Sequence, residues 1–265
     1  MAKHFKLTNE TKINAFGVTL FRIECTIDCK WAKVGDKGGW VEKENNLDGD
    51  AWVCGDAEVY GDAKVYGDAK VYGDAWVYGN AWVYGDAEVY GDAKVYGDAK
   101  VYGDAWVYGD AKVYGNAEVY GDAKVYGDAK VYGDAKVYGD AEVYGDAWVY
   151  GNAWVYGDAE VYGDAEVYGD AKVYGDAWVY GDAKVYGDAE VHGDANYCCF
   201  QSFGSRYGTT TVFREKQGNL RVRCGCFHGT LEEFADKVQQ THGDNEHGKV
   251  YKAIIEVIKL RFNVQ

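Results

Sequence analysis

The sequence predicts an all-β chain: a single-stranded parallel β-helix of three-sided coils, with about 18 residues per coil and about eight coils. An irregular cap is expected before this helix and a small α+β module after it. The main observation is a phrase of six residues, Gly-Asp/Asn-Ala-x-Val-Tyr, which occurs 25 times in residues 49–198 without an insertion. Proline is absent from the chain, as expected where almost every backbone N–H is needed for a β-ladder.

The alternation within each phrase separates an inner from an outer side. Side chains alternate along a strand, so Ala and Val point one way while x and Tyr point the other way. Position x is Lys, Glu or Trp until a final Asn, so x is expected outside and Ala and Val inside. Gly tolerates positive φ, and Asp or Asn favours an Asx-type turn, so this pair forms the corner. A period of six therefore favours a short strand and a corner over a helix or one long strand.

An internal duplication favours three sides per coil. Residues 73–114 recur as residues 145–186, with Lys94 replaced by Glu166. The offset between the two copies is a whole number of three-phrase coils, namely four. A duplication of whole coils keeps every Trp on its original face.

Read from valine, the phrase Val-Tyr-Gly-Asp-Ala-Lys resembles the hexapeptide repeat of the LpxA-like left-handed parallel β-helix proteins, over about 150 of 265 residues. The resemblance implies a left-handed coil. Residues 35–47 (GDKGGWVEKENNL) and residues 225–234 (GCFHGTLEEF) are similar to segments of phage and prophage hexapeptide-repeat proteins. Members of that kind mostly lack an assigned activity. A phage origin would place the protein in the cytoplasm of a host cell.

Three regions are expected. Residues 1–48 form a β-rich N-terminal cap, residues 49–198 form the repeat rod, and residues 199–265 form the C-terminal module. In the module, Thr230 and Glu233 form a capping box that begins a helix at Leu231. A second helix is expected from about Lys249. The predicted core of the module comprises Leu220, Val222, Phe234, Val238, Ile254 and Ile258.

Charge and cysteine content indicate the partners and the compartment. The net charge is −15, and the repeat block carries 29 acidic and 10 basic residues, which give −19. Such an acidic rod disfavours nucleic acid along its length. No apolar run resembles a signal peptide or a membrane span, so no membrane association is expected. Seven cysteines are an odd number without secretory context, which predicts reduced thiols in the cytoplasm.

No catalytic residue, cofactor or metal site is expected. Acyltransferases are the best-known enzymes of the resembled fold, and their catalytic histidine acts between the subunits of a trimer. The only histidine within the repeats is His192, which replaces the last Tyr in a degraded phrase. The residues considered as zinc ligands are Cys198, Cys199, Cys224, Cys226 and His228. Their spacing is not a pair of Cys-x-x-Cys knuckles, so buried free thiols are the favoured interpretation.

Two further surfaces are candidates for binding. The chain concentrates arginine in the C-terminal module, where an anion or a partner protein can bind at Ser205, Arg206, Arg214, Arg221 and Arg223. The alternative is a solvated hairpin face. The Tyr and Trp columns of the rod either stack as ladders that stabilise the sheet or form an exposed surface for a partner, a glycan or another copy of the chain.

These observations favour a non-enzymatic rigid scaffold or spacer that presents its C-terminal module as an interaction surface. The first alternative is a binding module that uses the C-terminal arginines. The second is a hexapeptide acyltransferase. Homo-oligomers are expected to form, if at all, through the aromatic faces or the C-terminal module.

Overall fold

The computed structural model describes residues 3–192, 197–204, 208–215 and 218–264. Most of the chain is a three-sided parallel β-solenoid, as predicted, in which each face is a sheet of short strands that come from every third phrase. Each face contributes eight strands from the repeats, which gives a rod on the order of 40 Å long at the usual inter-strand distance. The left-handed sense of the coil stays a prediction from the resemblance.

The three faces of the rod are named here by their strands. Face A comprises Trp52–Val53, Lys70–Val71, Glu88–Val89, Trp106–Val107, Lys124–Val125, Glu142–Val143, Glu160–Val161 and Trp178–Val179. Face B comprises Glu58–Val59, Trp76–Val77, Lys94–Val95, Lys112–Val113, Lys130–Val131, Trp148–Val149, Glu166–Val167 and Lys184–Val185. Face C comprises Lys64–Val65, Trp82–Gly85, Lys100–Gly103, Glu118–Gly121, Lys136–Gly139, Trp154–Tyr156, Lys172–Tyr174 and Glu190–His192.

The interior of the rod is a column of small and β-branched side chains. Every Ala and Val of the phrase from Ala51 to Val191 has 0% of its surface exposed. Position x and Tyr lie outward, half-buried or exposed over most of the rod. The inside and outside that the alternation predicted are therefore confirmed.

Backbone hydrogen bonds run from each coil to the next. For example, Lys112 N donates to Ala129 O at 2.9 Å, and Tyr114 N donates to Val131 O at 3.0 Å. At the corners, glycine is required for two reasons. Gly103 has a φ of +74°, and a Cβ placed there would lie 3.0 Å from the backbone N of Gly121 in the next coil. A side chain would therefore be strained and would also separate the coils.

The N-terminal segment extends face B beyond the first coil. Strands β1 (Phe5–Ile13) and β2 (Thr19–Cys25) form an antiparallel hairpin. Strand β3 (Lys37–Val41) pairs antiparallel with β2 on one side and parallel with the first repeat strand of face B on the other. A short 3₁₀ helix, Glu44–Asn46, leads into the repeats. The ring of His4 donates to Ala51 O at 2.9 Å, and Trp31 Nε1 donates to Asp68 O at 2.7 Å. These contacts hold the cap on the first coils.

The C-terminal module is a four-stranded antiparallel sheet with two helices. With the repeat strands counted as β4 to β27, its elements are β28 (Tyr197–Phe203), β29 (Gly208–Arg214), β30 (Leu220–Cys224), β31 (Phe227–Thr230), α1 (Leu231–His242) and α2 (Glu246–Phe262). The predicted capping box is confirmed, because Thr230 and Glu233 exchange side-chain to backbone bonds at the start of α1. The six predicted core residues all lie in the buried cluster of the module. Helix α2 begins three residues earlier than expected, because Asn245 accepts from Gly248 N and caps it.

In the described ranges, neither helix is long and apolar enough to cross a membrane. The seven cysteines are all free thiols.

One corner of the rod carries a pattern that the phrase did not reveal. All three Asn of the repeat corners precede strands of face C, where they alternate with Asp. Each Asn donates to the Asp of the next coil: Asn80 to Asp98 at 3.0 Å, Asn116 to Asp134 at 2.9 Å, and Asn152 to Asp170 at 2.9 Å. The other two corners of the repeat rod hold Asp in every coil. Face C therefore has the corner with the least carboxylate repulsion.

We predict that Val107→Asp destabilises the rod by several kcal/mol, because it buries an unpaired charge in the inner column. Trp106→Asp is the matched control, since it makes the same charge change at the adjacent outward position. Thermal melts followed by circular dichroism compare the two variants. Equal losses in melting temperature would mean that position 107 does not face the core.

We also predict that Asn116→Asp lowers the stability at low ionic strength by on the order of 1 kcal/mol. The change replaces an amide donor by a carboxylate next to Asp134, and charges about 5 Å apart in water-like surroundings repel by roughly that amount. Asp122→Asn, in a corner column made of Asp alone, is expected to change the stability in the opposite direction. Salt should shrink both effects. Melts at low and moderate ionic strength that show the same sign for both variants would contradict the repulsion account.

Candidate functional site

The C-terminal sheet closes the end of the rod. Tyr197 on β28 and Phe213 on β29 are buried in the same cluster as the Ala and Val column. The ring of Phe213 packs edge-on against Tyr186, the last Tyr of face B, with 5.5 Å between centroids. Thr209 donates to Asp182 at 3.3 Å, and Ala189 pairs with Glu215 in an isolated bridge. The open edge of the last coil is thereby covered, as a stacked-strand architecture requires.

The two sides of β30 serve two different contacts. Leu220 and Val222 point towards the helices and belong to the core of the module. Arg221 and Arg223 alternate with them and lie on the side that faces the rod. Arg223 donates to the hydroxyl of Tyr168 at 2.9 Å, and its guanidinium lies 5.5 Å from the ring centroid of Tyr186. Arg221 forms an ion pair with Glu215 at 2.6 Å. Both arginines therefore contact groups of this chain.

Arg214 lies apart from these two arginines. It donates to the carbonyl of Phe262 at 2.9 Å and to that of Gly218 at 2.7 Å, so it ties the end of α2 to the turn after β29. Ser205 and Arg206 lie outside the described residues. The structure thus brings Arg221 and Arg223 together and places Arg214 at another contact. Anion or partner binding at the five sequence-predicted residues stays a prediction.

Electrostatics at this junction agree with a packing role. Burial raises the pKa of Tyr186, and the positive charge of Arg223 opposes that rise. The hydrogen bond and the charge of Glu215 raise the pKa of Arg221 further above its already high ordinary value.

The histidines and cysteines are dispersed. His192 ends the Tyr column of face C, is exposed, and lies edge-on to Tyr174 at 4.7 Å. His228 is exposed on β31 opposite Arg223. Burial raises the pKa of the Cys198 thiol to about 12, so this thiol stays protonated. Within the described ranges, no three His, Cys, Asp or Glu side chains are grouped so as to hold a metal ion.

The aromatic columns are stacked ladders. Successive Tyr rings of one face lie 4.7–5.5 Å apart and are nearly parallel. Several Tyr hydroxyls also donate to the Glu of the next coil, as Tyr144 does to Glu160 at 2.8 Å. Lysines cover the faces of Trp rings from a neighbouring coil, with Lys94 Nζ 4.3 Å from the centroid of Trp76 and Lys130 Nζ 4.3 Å from that of Trp148. These contacts favour the stabilising interpretation for those rings, whereas Trp106 and Trp178 on face A are 41% and 49% exposed.

Comparison with known proteins supports the architecture. Residues 69–85 match the family model described as YdcK Beta solenoid repeat. The chain is a β-solenoid repeat protein. The match spans slightly less than one coil, so it supports the repeat type rather than membership of the family as a whole. No curated protein matches the chain.

We predict that Arg223 and Tyr168 are energetically coupled. Arg223→Met and Tyr168→Phe each remove the bond between module and rod, so the double variant should be less destabilised than the sum of the two single variants. A coupling of about 1 kcal/mol is expected, the usual size for contacting residues. Urea unfolding of the four proteins measures the coupling, and additive effects would show that the contact contributes nothing in solution.

Proposed function

We propose that this β-solenoid is a non-enzymatic rigid scaffold or spacer that holds its C-terminal module at a fixed distance and orientation from its N-terminal cap. The observation that carries the proposal is the unbroken inner column of Ala and Val, fully buried from Ala51 to Val191. No loop interrupts the six-residue register along this column. Each coil contacts its neighbours through all three faces, so the rod behaves as one stiff body.

The uniformity of the coils supports a mechanical role. Position x varies only among Lys, Glu and Trp before the last phrase, and these side chains form ladders and ion pairs such as Lys124–Glu142 at 2.9 Å. Between Cys54 and His192, which replace Tyr near the two ends of the block, no coil is chemically distinct from its neighbours. Length and stiffness are then what the rod contributes.

The module is the region suited to meet a partner. It differs in composition from the rod and carries an excess of basic residues, 10 against 7 acidic in residues 199–265, whereas the rod carries −19. Like charge keeps rods apart, and an opposite charge at one end directs an acidic partner to that end. Binding through Arg221 is the second candidate, favoured by the 39% exposure of its side chain.

The setting of the protein rests on resemblance. Residues 35–47 and 225–234, which are similar to segments of phage and prophage hexapeptide-repeat proteins, support a phage-related role in a host cytoplasm. In the structure, the first segment contains β3, which joins the cap to face B, and the second contains β31 and the first turn of α1. A hexapeptide acyltransferase remains the alternative of another class, and no observation on the described residues favours it.

The duplication supplies a test. Deleting residues 73–144 joins Tyr72 to Gly145 and removes four coils. Each cap contact that is lost is replaced by the equivalent residue from four coils later; for example, Asp158 takes the place of Asp86 beside Lys30. We expect a folded protein whose maximum dimension is shorter by about 19 Å, four times the inter-strand distance. Small-angle X-ray scattering measures the change.

The matched control is deletion of residues 73–141, which removes three residues fewer and breaks the inside–outside alternation after Tyr72. This variant should lose cooperative melting. A folded 73–144 deletion with an unchanged maximum dimension, or with the scattering of a flexible chain, would contradict the spacer proposal.

A further inference from the structure

The C-terminal module contains a cavity of about 440 Å³ between one end of the sheet and α1, and its lining residues all belong to the module. Its walls include four aromatic rings, those of Phe203, Phe227, Phe234 and Tyr251. The ring centroids of Phe227 and Phe234 lie 5.3 Å apart, and Phe234 packs edge-on against Tyr251 with 5.8 Å between ring centroids. This volume and this lining are typical of pockets that take small organic molecules.

The polar atoms at the floor of the pocket already have partners. Thr210 donates to Cys224 Sγ at 3.1 Å, and Cys224 Sγ lies 3.5 Å from the hydroxyl of Tyr251. Backbone packs directly against the same hydroxyl, because a Cβ on Gly204 would lie 2.1 Å from it. A ligand ring beside Cys224 and Tyr251 therefore need not supply hydrogen bonds to these two side chains.

The mouth of the pocket carries polar and charged side chains. Gly208 and Gly225 lie at its edge, and a Cβ on either would meet no atom within 4 Å among the residues that the structure describes, so no described side chain closes the entrance there. Helix α1 supplies Lys237, Thr241 and His242 to the rim. Lys237 is exposed and forms no ion pair within the described part of the chain. A cation without a counterion at the mouth of an apolar pocket favours an acidic group on the ligand.

We propose that this pocket binds a small molecule with an aromatic or similarly apolar ring and one acidic group. The ring occupies the space between Phe227, Phe234 and Tyr251, and the acidic group contacts the ammonium of Lys237. The two grooves along faces A and B do not share this chemistry, because columns of Asp line them. The proposal is independent of the spacer role of the rod.

The test uses three probes of nearly equal shape: 3-phenylpropionate, 3-phenylpropanol and 3-phenylpropylamine. Each is titrated into the ¹⁵N-labelled full-length protein, and amide shifts are followed. We expect the anion to bind most tightly, the alcohol more weakly and the amine most weakly, with shifts at Phe227, Thr241 and Tyr251. Shifts confined to the rod, or equal affinity for the three probes, would overturn the proposal.

Single-residue variants test the ring-binding part of the pocket and the charge of Lys237 separately. Thr241→Phe places a ring at the rim and should abolish binding of the anion and the alcohol. Gln240→Phe adds the same bulk at an exposed position of α1 outside the pocket and should leave both affinities unchanged. Lys237→Met should lower the affinity for the anion about tenfold, which corresponds to the loss of one charge-assisted hydrogen bond, and should leave the affinity for the alcohol unchanged. Binding that survives Thr241→Phe, or an anion affinity that is the same in Lys237→Met, would contradict the assigned site.

Discussion

The structure depends on one constraint, the transfer of backbone hydrogen bonds from every coil to the next in strict register. A peptide N–H that is buried without a partner costs free energy comparable to a lost hydrogen bond, so each coil needs a neighbour on both sides. The narrow interior admits only Ala and Val, and the stacked corners admit only glycine at their positive-φ position. The two ends of the rod therefore need other structures, which the N-terminal hairpin and the C-terminal sheet provide.

The fold of the rod was predictable because its decisive interactions repeat. The alternation of Ala and Val with x and Tyr determined which side is buried, and the period of six determined the corners. The capping box at Thr230 and Glu233 and the periodic apolar residues of α1 were equally local signals. The predicted start of α2 is three residues late because the sequence pattern places Asn245 in the preceding turn, whereas its side chain caps the helix.

The contacts between module and rod were not predictable from the sequence. Arg223 and Tyr168 are 55 residues apart, and no periodicity relates a strand of the module to a repeat Tyr. Residue type suggested that the arginines bind an anion, whereas the structure gives Arg214, Arg221 and Arg223 partners within the chain. The pocket beside Lys237 was not predictable for the same reason, since its walls come from all four strands β28 to β31 and from both helices, and these meet only in the folded module. A signal was present for the Asn–Asp corner, because its three Asn recur in every second coil, at positions 80, 116 and 152.

The near-identity of the coils has a consequence for how the chain folds. A strand of face B finds almost the same hydrogen bonds and the same Val contact if it pairs two or three coils away from its proper neighbour. Nucleation can then begin anywhere along the block, and the early pairings carry little information about register. The unique contacts are those of the ends, such as Trp31 with Asp68 and Phe213 with Tyr186. An intermediate with slipped register leaves whole coils looped out and one end of the rod without its cap contacts. The contacts of the two caps therefore favour the correct register among many nearly equivalent strand pairings.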